Sequence, residues 1–282
     1  MLERLVAWWD RFWFDPETPV NLAVTRVLLA LAALWVVLSR HDLPSVLEFP
    51  RAIWSTVLPE RRLRFFMVFD VTTERVLWLL LHVALIALIV GLGTRWAALA
   101  AGLLLYHFGA MEAIIWTGNP YLRGYTIPSL GLLIIAASLS AGAFRGESSG
   151  HHRWPLRLIQ VLFAQIYFFS AWAKLYRSGA EWLSAGNMRN YIIGIDQMLE
   201  LPHTKLNLWI ADNSGVAVSM AVCGLLIDLL FPLVLVSRVA RWILLPVVAL
   251  FHVANGLIFH IWFQNAPLLL MYVDWNGMIR RR

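Results

Sequence analysis

The chain has 282 residues, of which 60% are hydrophobic and 14% are charged. This composition excludes an ordinary soluble globular domain, in which about a quarter of the residues are charged. The formal net charge is +6. The arginines that produce it are spread through the connections between apolar runs and form no dense patch with aromatic residues. The pattern therefore excludes nucleic acid as the expected partner and favours arginine beside anionic lipid.

The N-terminal residues 1–15 place Trp8, Trp9 and Phe12 beside charged residues, which predicts an amphipathic helix in the membrane interface. Long uncharged runs follow, and several reach the ~20 residues that a membrane-spanning helix needs. We expect an all-α polytopic bundle of seven or eight spans that forms one domain over residues 1–282. The predicted spans are Pro19–Ser39, Val76–Gly93, Trp96–Ile115, Tyr125–Phe144, Pro155–Leu175, Gly215–Val236 and Trp242–Trp262.

The last uncharged run covers residues 242–273 and has an unusual length. As one helix it would be about 48 Å long, which exceeds a hydrocarbon core of about 30 Å. It is too short for two crossings and a turn. Because Pro246, Gly256 and Pro267 can interrupt it, we expect one span followed by a re-entrant or short slanted segment, Asn265–Trp275.

Cysteine occurs only at Cys223, so an intrachain disulfide and a thiolate metal site are impossible. The sequence also has no phosphate-binding loop, no HExxH zinc motif and no nucleophile elbow. We therefore assign no residue to a metal. Candidate chemistry must come from the few polar side chains inside the apolar runs.

Lys174 ends an uncharged, aromatic-rich run that begins at Leu158. An ammonium group in the middle of a spanning helix costs roughly 2.5–3.5 kcal/mol on insertion scales. Burial favours the neutral amine, which is a base, so this position is typical of proton chemistry inside a membrane. The alternative is that Lys174 lies near a helix end and extends its ammonium group to the interface.

Arg26 and Asp228 also lie inside predicted spans. Arg26, about two turns into its span, is either an anchor for an anionic or carbonyl group or a side chain that extends to the interface. Asp228 is too short to reach the interface from the middle of its run. A carboxylate there needs a partner or a proton, so Asp228 either pairs with a helix cation such as Arg26 or stays protonated.

His252 and Asn255 are spaced to lie on one face of the last predicted span, and His260 follows two turns later. Their side chains can donate hydrogen bonds to a ligand oxygen. Haem ligation would require a second imidazole, that of His82 or His107, and we do not favour it. The alternative is that a histidine in a helical bundle is satisfied by a neighbouring carbonyl group.

The segment 116–124 connects two predicted spans and contains glycine, asparagine and proline, which favour a turn. Asn119 and Tyr121 can present polar groups to a cavity at this turn. The alternative is an interfacial connection anchored by Trp116.

The order of these motifs resembles the vitamin K-dependent γ-carboxylase superfamily. In chain order they are Trp-x-x-x-x-Tyr-Leu-x-Gly from residue 116, Tyr-Phe-x-x-x-x-x-Lys-Leu from 167, Leu-Leu-x-Asp-Leu from 225 and Phe-His-x-x-Asn-x-x-x-Phe from 251. The chain is most similar to the short bacterial branch of the superfamily, the HTTM-domain (horizontally transferred transmembrane) proteins. The matching residues run from about Arg26 to Tyr272.

The resemblance implies that Lys174 is the base that starts the oxidation of a reduced quinone, with His252 and Asn255 as further catalytic residues. The residues expected to contact the substrate are Asn119, Tyr121, Tyr167, Trp182, Arg26 and Asp228. The animal enzyme has a histidine at the position of Asn119, a second lysine in place of Ala173, and a disulfide that a single cysteine cannot form.

We therefore expect an enzyme that acts on a reduced isoprenoid quinone of vitamin K or menaquinone type, or on a similar membrane lipid, with molecular oxygen. Epoxidation is implied by the resemblance alone, as is a coupled carboxylation that uses carbon dioxide and a protein substrate. Quinone oxidation is the expected half, because the animal enzyme binds its protein substrate with a lumenal domain after the spans and this sequence ends at Arg282.

Two other functions fit the same residues. One is a non-enzymatic membrane binding or maturation factor for a lipid or protein partner, in which the polar helix residues hold the bundle together. The other is a haem- or quinone-linked electron carrier. The expected location is the bacterial inner membrane, with the N-terminus in the cytoplasm because arginine is concentrated in the short connections on that side.

Overall fold

The computed structural model describes residues 1–39, 69–115, 122–138, 144, 146–198, 200 and 202–279. These residues are mainly helical and contain no β-strand, apart from an isolated antiparallel bridge between Glu17 and Ser149. The all-α prediction is therefore confirmed for the described part of the chain. Two compact units can be distinguished, residues 1–159 with 273–282 and residues 160–272. The single domain over residues 1–282 stays a prediction.

The first unit begins with α1 (Leu2–Phe14), whose residues are all exposed or only partly buried. It continues with the long helices α2 (Val20–Leu38), α3 (Val71–Val90), α4 (Thr94–Ile115) and α5 (Leu122–Ala137). The first part of α6 (Gly150–Ser178) and the short C-terminal helix α11 (Trp275–Ile279) belong to the same unit.

Glycine allows α4 and α5 to approach closely. A Cβ added to Gly109 would lie 2.8 Å from the Tyr125 Cβ, and one added to Gly102 would lie 2.8 Å from the Leu133 Cγ. The two glycines are seven residues apart and therefore lie on one face of α4. Small residues at such positions are common where helices pack within a membrane, because backbone proximity maximises van der Waals contact there.

A buried carboxylate links α3 to α4 in this unit. Glu74, in the first turn of α3, is only 1% exposed and accepts a hydrogen bond from the Phe69 backbone N–H at 2.9 Å. His107 Nε2 on α4 lies 2.8 Å from Glu74 Oε2. The buried carboxylate is thus held by polar partners from both sides, as a low-dielectric site requires.

The second unit contains α6 from Gln160 onward and the helices that follow it. A 3₁₀ helix, Gly179–Leu183, directly follows α6. The remaining elements are α7 (Ala185–Met198), α8 (Lys205–Asp212), α9 (Ser214–Leu230), a 3₁₀ helix (Phe231–Leu235), α10 (Arg238–Phe259) and a 3₁₀ helix (Ala266–Tyr272).

Side-chain caps begin four of these helices, and at α7 Ser184 accepts a hydrogen bond from the Asn187 N–H at 3.1 Å. Thr204 accepts a hydrogen bond from the Asn207 N–H at α8, Asn213 caps α9, and Ser237 caps α10. Each cap satisfies a backbone donor that has no partner within its helix. An apolar cluster then joins α7, α8, α9 and the end of α10, and its buried members are Met188, Ile192, Ile195, Ile210, Ala217, Ala221 and Phe259.

Five helices of the described residues are long and apolar enough to cross a membrane, namely Val20–Leu38, Val71–Val90, Gly150–Leu183, Ser214–Leu235 and Arg238–Phe259. They correspond to five of the seven predicted spans. The other two predicted spans are represented by α4, which has 22 residues, and α5, which has 16 and ends at Ala137. The total of seven or eight spans stays a prediction.

Proline positions differ from the helix boundaries that the sequence predicts. Pro155 was expected to begin a span, but α6 begins at Gly150 and contains Pro155. Likewise, α10 runs through Pro246 to Phe259. A proline removes one helical hydrogen bond, and in an apolar helix nearby groups can satisfy the carbonyl that is released. After α10, the predicted short segment contains a 3₁₀ helix of seven residues, and its re-entry into a membrane stays a prediction.

We predict that Gly109→Ala destabilises the protein by about 1–3 kcal/mol, which is the usual cost of overpacking. The new methyl group would meet the Tyr125 Cβ, which is attached to the backbone of α5 and cannot rotate away. Gly194→Ala in α7 is the matched control, because its added Cβ meets nothing within 4 Å. Thermal unfolding in detergent measures both variants, and equal stability of the two would contradict the close approach of α4 and α5.

Candidate functional site

Lys174 lies one turn before the C-terminal end of α6 and contacts Asp228 of α9. The Lys174 Nζ donates a hydrogen bond to the Asp228 Oδ2 at 2.6 Å. The side chain of Asp228 is 6% exposed, whereas that of Lys174 is 20% exposed. The carboxylate is therefore the more deeply buried partner, and the lysine keeps an accessible edge.

The indole ring of Trp182 lies beside the same amine. The Lys174 Nζ is 5.2 Å from the centroid of this ring, within the range of a cation–π interaction. Trp182 belongs to the 3₁₀ helix that starts at Gly179, where φ is 53°. Glycine adopts this left-handed conformation without strain. Trp182, which the resemblance assigns to the substrate, thus lies close to Lys174.

Asp228 has the helix cation that the sequence predicts, but this cation is Lys174 and not the suggested Arg26. Arg26 lies in the first unit, where its side chain is fully buried and its Cζ is 5.5 Å from the centroid of the Phe144 ring. Its role as a substrate anchor stays a prediction. Asn119 and Tyr121, the two candidates in the predicted turn, lie outside the described residues.

A second polar pair joins α6 to α10. The Tyr167 hydroxyl oxygen lies 2.7 Å from the His252 Nε2, within hydrogen-bond distance. Tyr167 precedes Lys174 by seven residues, so the two side chains lie on the same face of α6, about 10 Å apart along the helix axis. The structure thus brings together four of the predicted site residues as two pairs, Lys174 with Asp228 and Tyr167 with His252.

Aromatic rings surround the Tyr167–His252 pair. The Tyr167 ring centroid is 4.1 Å from that of Phe231, and the His252 ring centroid is 4.8 Å from that of Phe263. His252 is 8% exposed, and within the described residues its Nδ1 is buried without a hydrogen-bond partner. This nitrogen is therefore a buried polar atom whose hydrogen-bonding capacity is unused within the described residues.

Asn255 lies one turn after His252 on α10, as its spacing predicts. Its side-chain amide donates a hydrogen bond to the Phe251 carbonyl oxygen at 2.8 Å. One of its donors is therefore used within its own helix. Its catalytic role stays a prediction.

The other histidines considered for haem have polar neighbours in the first unit. His82 Nδ1 lies 2.8 Å from the Trp78 carbonyl oxygen, and His107 faces Glu74. These contacts agree with the alternative interpretation that bundle histidines are satisfied by nearby polar groups.

The chain matches the HTTM-domain family over residues 14–275. It belongs to the HTTM-domain family. No curated protein and no solved structure matches it. The family match confirms the resemblance found in the sequence and is consistent with a relation to vitamin K-dependent carboxylase. Together with the apolar helices, it identifies the chain as an integral membrane protein.

This HTTM-domain protein contains a further buried polar cluster that the sequence did not reveal. Asp196 of α7 is fully buried, and its Oδ2 lies 2.9 Å from the His203 Nδ1. The Asn207 Nδ2 donates to the same oxygen at 3.0 Å and lies 3.0 Å from the Ile258 carbonyl oxygen. The His260 Nε2 lies 3.6 Å from the Asp196 Oδ1, which is beyond hydrogen-bond distance.

These contacts join α7, α8 and the end of α10 through one carboxylate. Burial alone would raise the pKa of Asp196, but the hydrogen bonds from Asn207 and His203, with the charges of His203 and His260, lower it below its usual range. The cluster therefore holds an ionised carboxylate in a buried site. In the described part of the chain, no group of three or more His, Cys, Asp or Glu is arranged to hold a metal ion.

The spacing of these residues in the sequence does not predict this cluster. His203 and Asn207 lie at the start of α8, whereas His260 follows α10 and has a φ of 54°. No local pattern connects these positions to Asp196. A fully buried aspartate would be recognisable only once α7 and α8 are packed together.

We predict that Asp228→Asn destabilises the protein by about 1–3 kcal/mol, because it leaves the Lys174 cation without its counter-ion. The loss is smaller than for a fully buried pair because Lys174 is partly exposed. Asp212→Asn is the control, because it removes an ion pair at the surface. The Asp212 Oδ1 lies 3.6 Å from the Arg189 Nη2, and the two side chains are 72% and 56% exposed. Chemical denaturation in detergent compares them, and equal losses would mean that the buried pair contributes no more than a surface pair.

We also predict a pH-dependent contribution of Asp196 to stability. Because the pKa of Asp196 is lowered in the folded protein, its contribution is present above the ordinary value of about 4 and is lost as pH falls through the lowered value. The stability difference between wild type and Asp196→Asn should therefore narrow below about pH 4. Unfolding measured from pH 7 to pH 3 tests this, and parallel curves would contradict it.

Proposed function

We propose that this HTTM-domain protein is a membrane enzyme that oxidises a reduced isoprenoid quinone, or a similar lipid with a phenolic hydroxyl group, and that Lys174 is the base. The observation that carries this proposal is the 2.6 Å contact between Lys174 and Asp228 in an apolar helical segment. An ionisable pair inside a membrane is costly and is commonly functional. The accessible edge of Lys174 supports its contact with a substrate.

Asp228 supports the assignment of Lys174 as a base. An amine that takes a proton becomes a cation, and the adjacent carboxylate stabilises that cation as it forms. The aspartate behind the histidine of a serine protease has the same effect on its imidazole. The Trp182 ring, 5.2 Å from the Lys174 Nζ, adds a cation–π interaction with the protonated form. Both neighbours therefore stabilise the protonated form of Lys174, and the amine accepts the substrate proton only after its own proton has left through the accessible edge of the side chain.

In this proposal, His252 donates a hydrogen bond to the substrate oxygen on which negative charge develops. A hydrogen-bond donor that is already oriented stabilises a developing oxyanion strongly when water is excluded. The buried Nδ1 of His252 lies among aromatic rings, which suit a flat apolar substrate. The residues of the second unit therefore fit a quinol.

The overall reaction implied by the family resemblance consumes one quinol and one molecule of oxygen and yields a quinone epoxide and water. The quinol loses two hydrogens and gains one oxygen atom, and the second oxygen atom leaves as water. A carboxylation coupled to this oxidation, with carbon dioxide and a protein substrate, is a further possibility of the same chemistry. The proposed location is the bacterial inner membrane with a cytoplasmic N-terminus.

We predict that Lys174→Ala abolishes turnover of reduced menaquinone under oxygen, because it removes the proton acceptor. The assay uses protein reconstituted in lipid and detects the epoxide by mass spectrometry. Lys205→Ala is the matched control, since Lys205 is the other lysine of the chain and is exposed at the start of α8. Full activity of folded Lys174→Ala would refute the base assignment, and loss in both variants would show a non-specific effect.

The non-enzymatic alternative is a membrane factor that binds a lipid or protein partner. It is favoured by the contacts that the polar residues make with one another, such as Asn255 with the Phe251 carbonyl and Tyr167 with His252. In this alternative the pairs stabilise the bundle, and quinols bind without conversion. Absence of product from several quinols by well-folded protein would favour it.

A further inference from the structure

The hydrogen bond between Tyr167 and His252 determines what the second nitrogen of the imidazole can do. A neutral imidazole has one N–H donor and one bare nitrogen that accepts. The Nε2 of His252 is occupied by the Tyr167 hydroxyl at 2.7 Å. Whichever role Nε2 takes, Nδ1 takes the other. The direction of this one hydrogen bond therefore decides whether the buried Nδ1 is a donor or an acceptor.

The surroundings of Tyr167 favour one direction. Tyr167 is 6% exposed, and His252 is the hydrogen-bond partner that the described residues provide for its hydroxyl group. If Nε2–H donated to the tyrosine oxygen, the phenolic hydrogen and the Nδ1 lone pair would both be buried without partners. If the phenolic O–H donates to Nε2, only the Nδ1–H lacks a partner. Because each unsatisfied buried group costs free energy, the second arrangement is favoured.

We propose that Tyr167 is a positioning residue that holds His252 in the Nδ1–H tautomer, and that this N–H binds an acceptor oxygen of an apolar ligand. A carbonyl or a phenolate oxygen satisfies such a donor. A ligand group that can only donate hydrogen bonds cannot satisfy this N–H. The Phe231 and Phe263 rings beside the pair require the rest of the ligand to be apolar.

The two ends of the proposed site then differ, because one end accepts a proton and the other donates a hydrogen bond. Lys174 accepts a proton from the ligand, whereas His252 donates a hydrogen bond to the ligand. A ligand with a hydroxyl group at Lys174 and an accepting oxygen at His252 therefore fits better than one with the opposite arrangement. The role of Lys174 and the choice of quinone as probe rest on the proposed function, whereas the tautomer of His252 is a property of the protein without substrate.

The tautomer can be measured directly by nitrogen NMR. Protein labelled with ¹⁵N-histidine in lipid nanodiscs gives distinct resonances for protonated and bare ring nitrogens, and His252→Gln identifies those of His252. We expect a protonated Nδ1 and a bare Nε2 in the wild-type protein. In Tyr167→Phe we expect loss of this preference. Tyr272→Phe is the matched control, because it removes another buried hydroxyl, which donates to the Gln160 carbonyl at 2.6 Å.

Ligand binding is tested with a matched pair of probes. Methyl-1,4-naphthoquinone carries acceptor oxygens, and methylnaphthalene has the same flat apolar body without them. We expect only the quinone to shift the Nδ1 resonance of His252. We also expect Tyr167→Phe to weaken quinone binding roughly 3- to 10-fold, as for the loss of one oriented hydrogen bond, with Tyr272→Phe near wild type.

The outcomes separate this inference from the proposed function. A protonated Nε2 in the wild-type protein would overturn the inference even if Lys174-dependent turnover is observed. A quinone that leaves the Nδ1 resonance unchanged would overturn the ligand assignment and indicate that water satisfies this N–H. The expected tautomer and quinone shift would support the inference even if no quinol is oxidised.

Discussion

The contact between Lys174 and Asp228 is the interaction on which the candidate site depends. Neither charge is stable alone in an apolar helical segment, because each loses its hydration. Together they join α6 to α9 at 2.6 Å. This requirement places the amine at one defined point on α6 and leaves one edge of it accessible. Every chemical role considered for Lys174 begins from this geometry.

The same physical requirement explains the other polar contacts inside the two units. Within the second unit, Tyr167 faces His252, and Asn207 donates to Asp196. Within the first unit, Glu74 faces His107. A buried polar group must find a partner because water is not available to it. The sequence shows which residues have this need, but the partner depends on how the helices pack.

The sequence was sufficient to predict the class of protein and the positions of most of the helices. Apolar runs near the length of a bilayer core predicted α2, α3, α9 and α10 within several residues of their observed bounds. Boundaries at proline were less predictable, since α6 begins five residues before Pro155. A proline marks the loss of one donor, and only the surrounding packing decides whether the helix also breaks. The structure does not describe residues 40–68 or the predicted turn that contains Asn119, so the predictions there are not compared.

The candidate residues were predictable one at a time, and the pairs were not. Lys174, Asp228 and His252 stand out because charged and polar side chains are rare in apolar runs. Their pairing requires the rotation of α6, α9 and α10 about their axes, which hydropathy does not specify when a helix is apolar on every side. For this reason the sequence suggested Arg26 as a partner for Asp228, although Lys174 is the observed one. Asp196 was missed because its segment is short and mixed in character.

The choice of lysine at position 174 favours proton transfer over a purely structural role. The chain has 23 lysine and arginine residues, and only Lys174 and Lys205 are lysine. Arginine pairs with a carboxylate through two parallel hydrogen bonds and stays charged, so it is the better residue for a permanent ion pair. Lysine can lose its proton in an apolar site. Of the two residue types lysine and arginine, only lysine readily becomes a base, so a lysine opposite Asp228 is consistent with the proposed proton transfer.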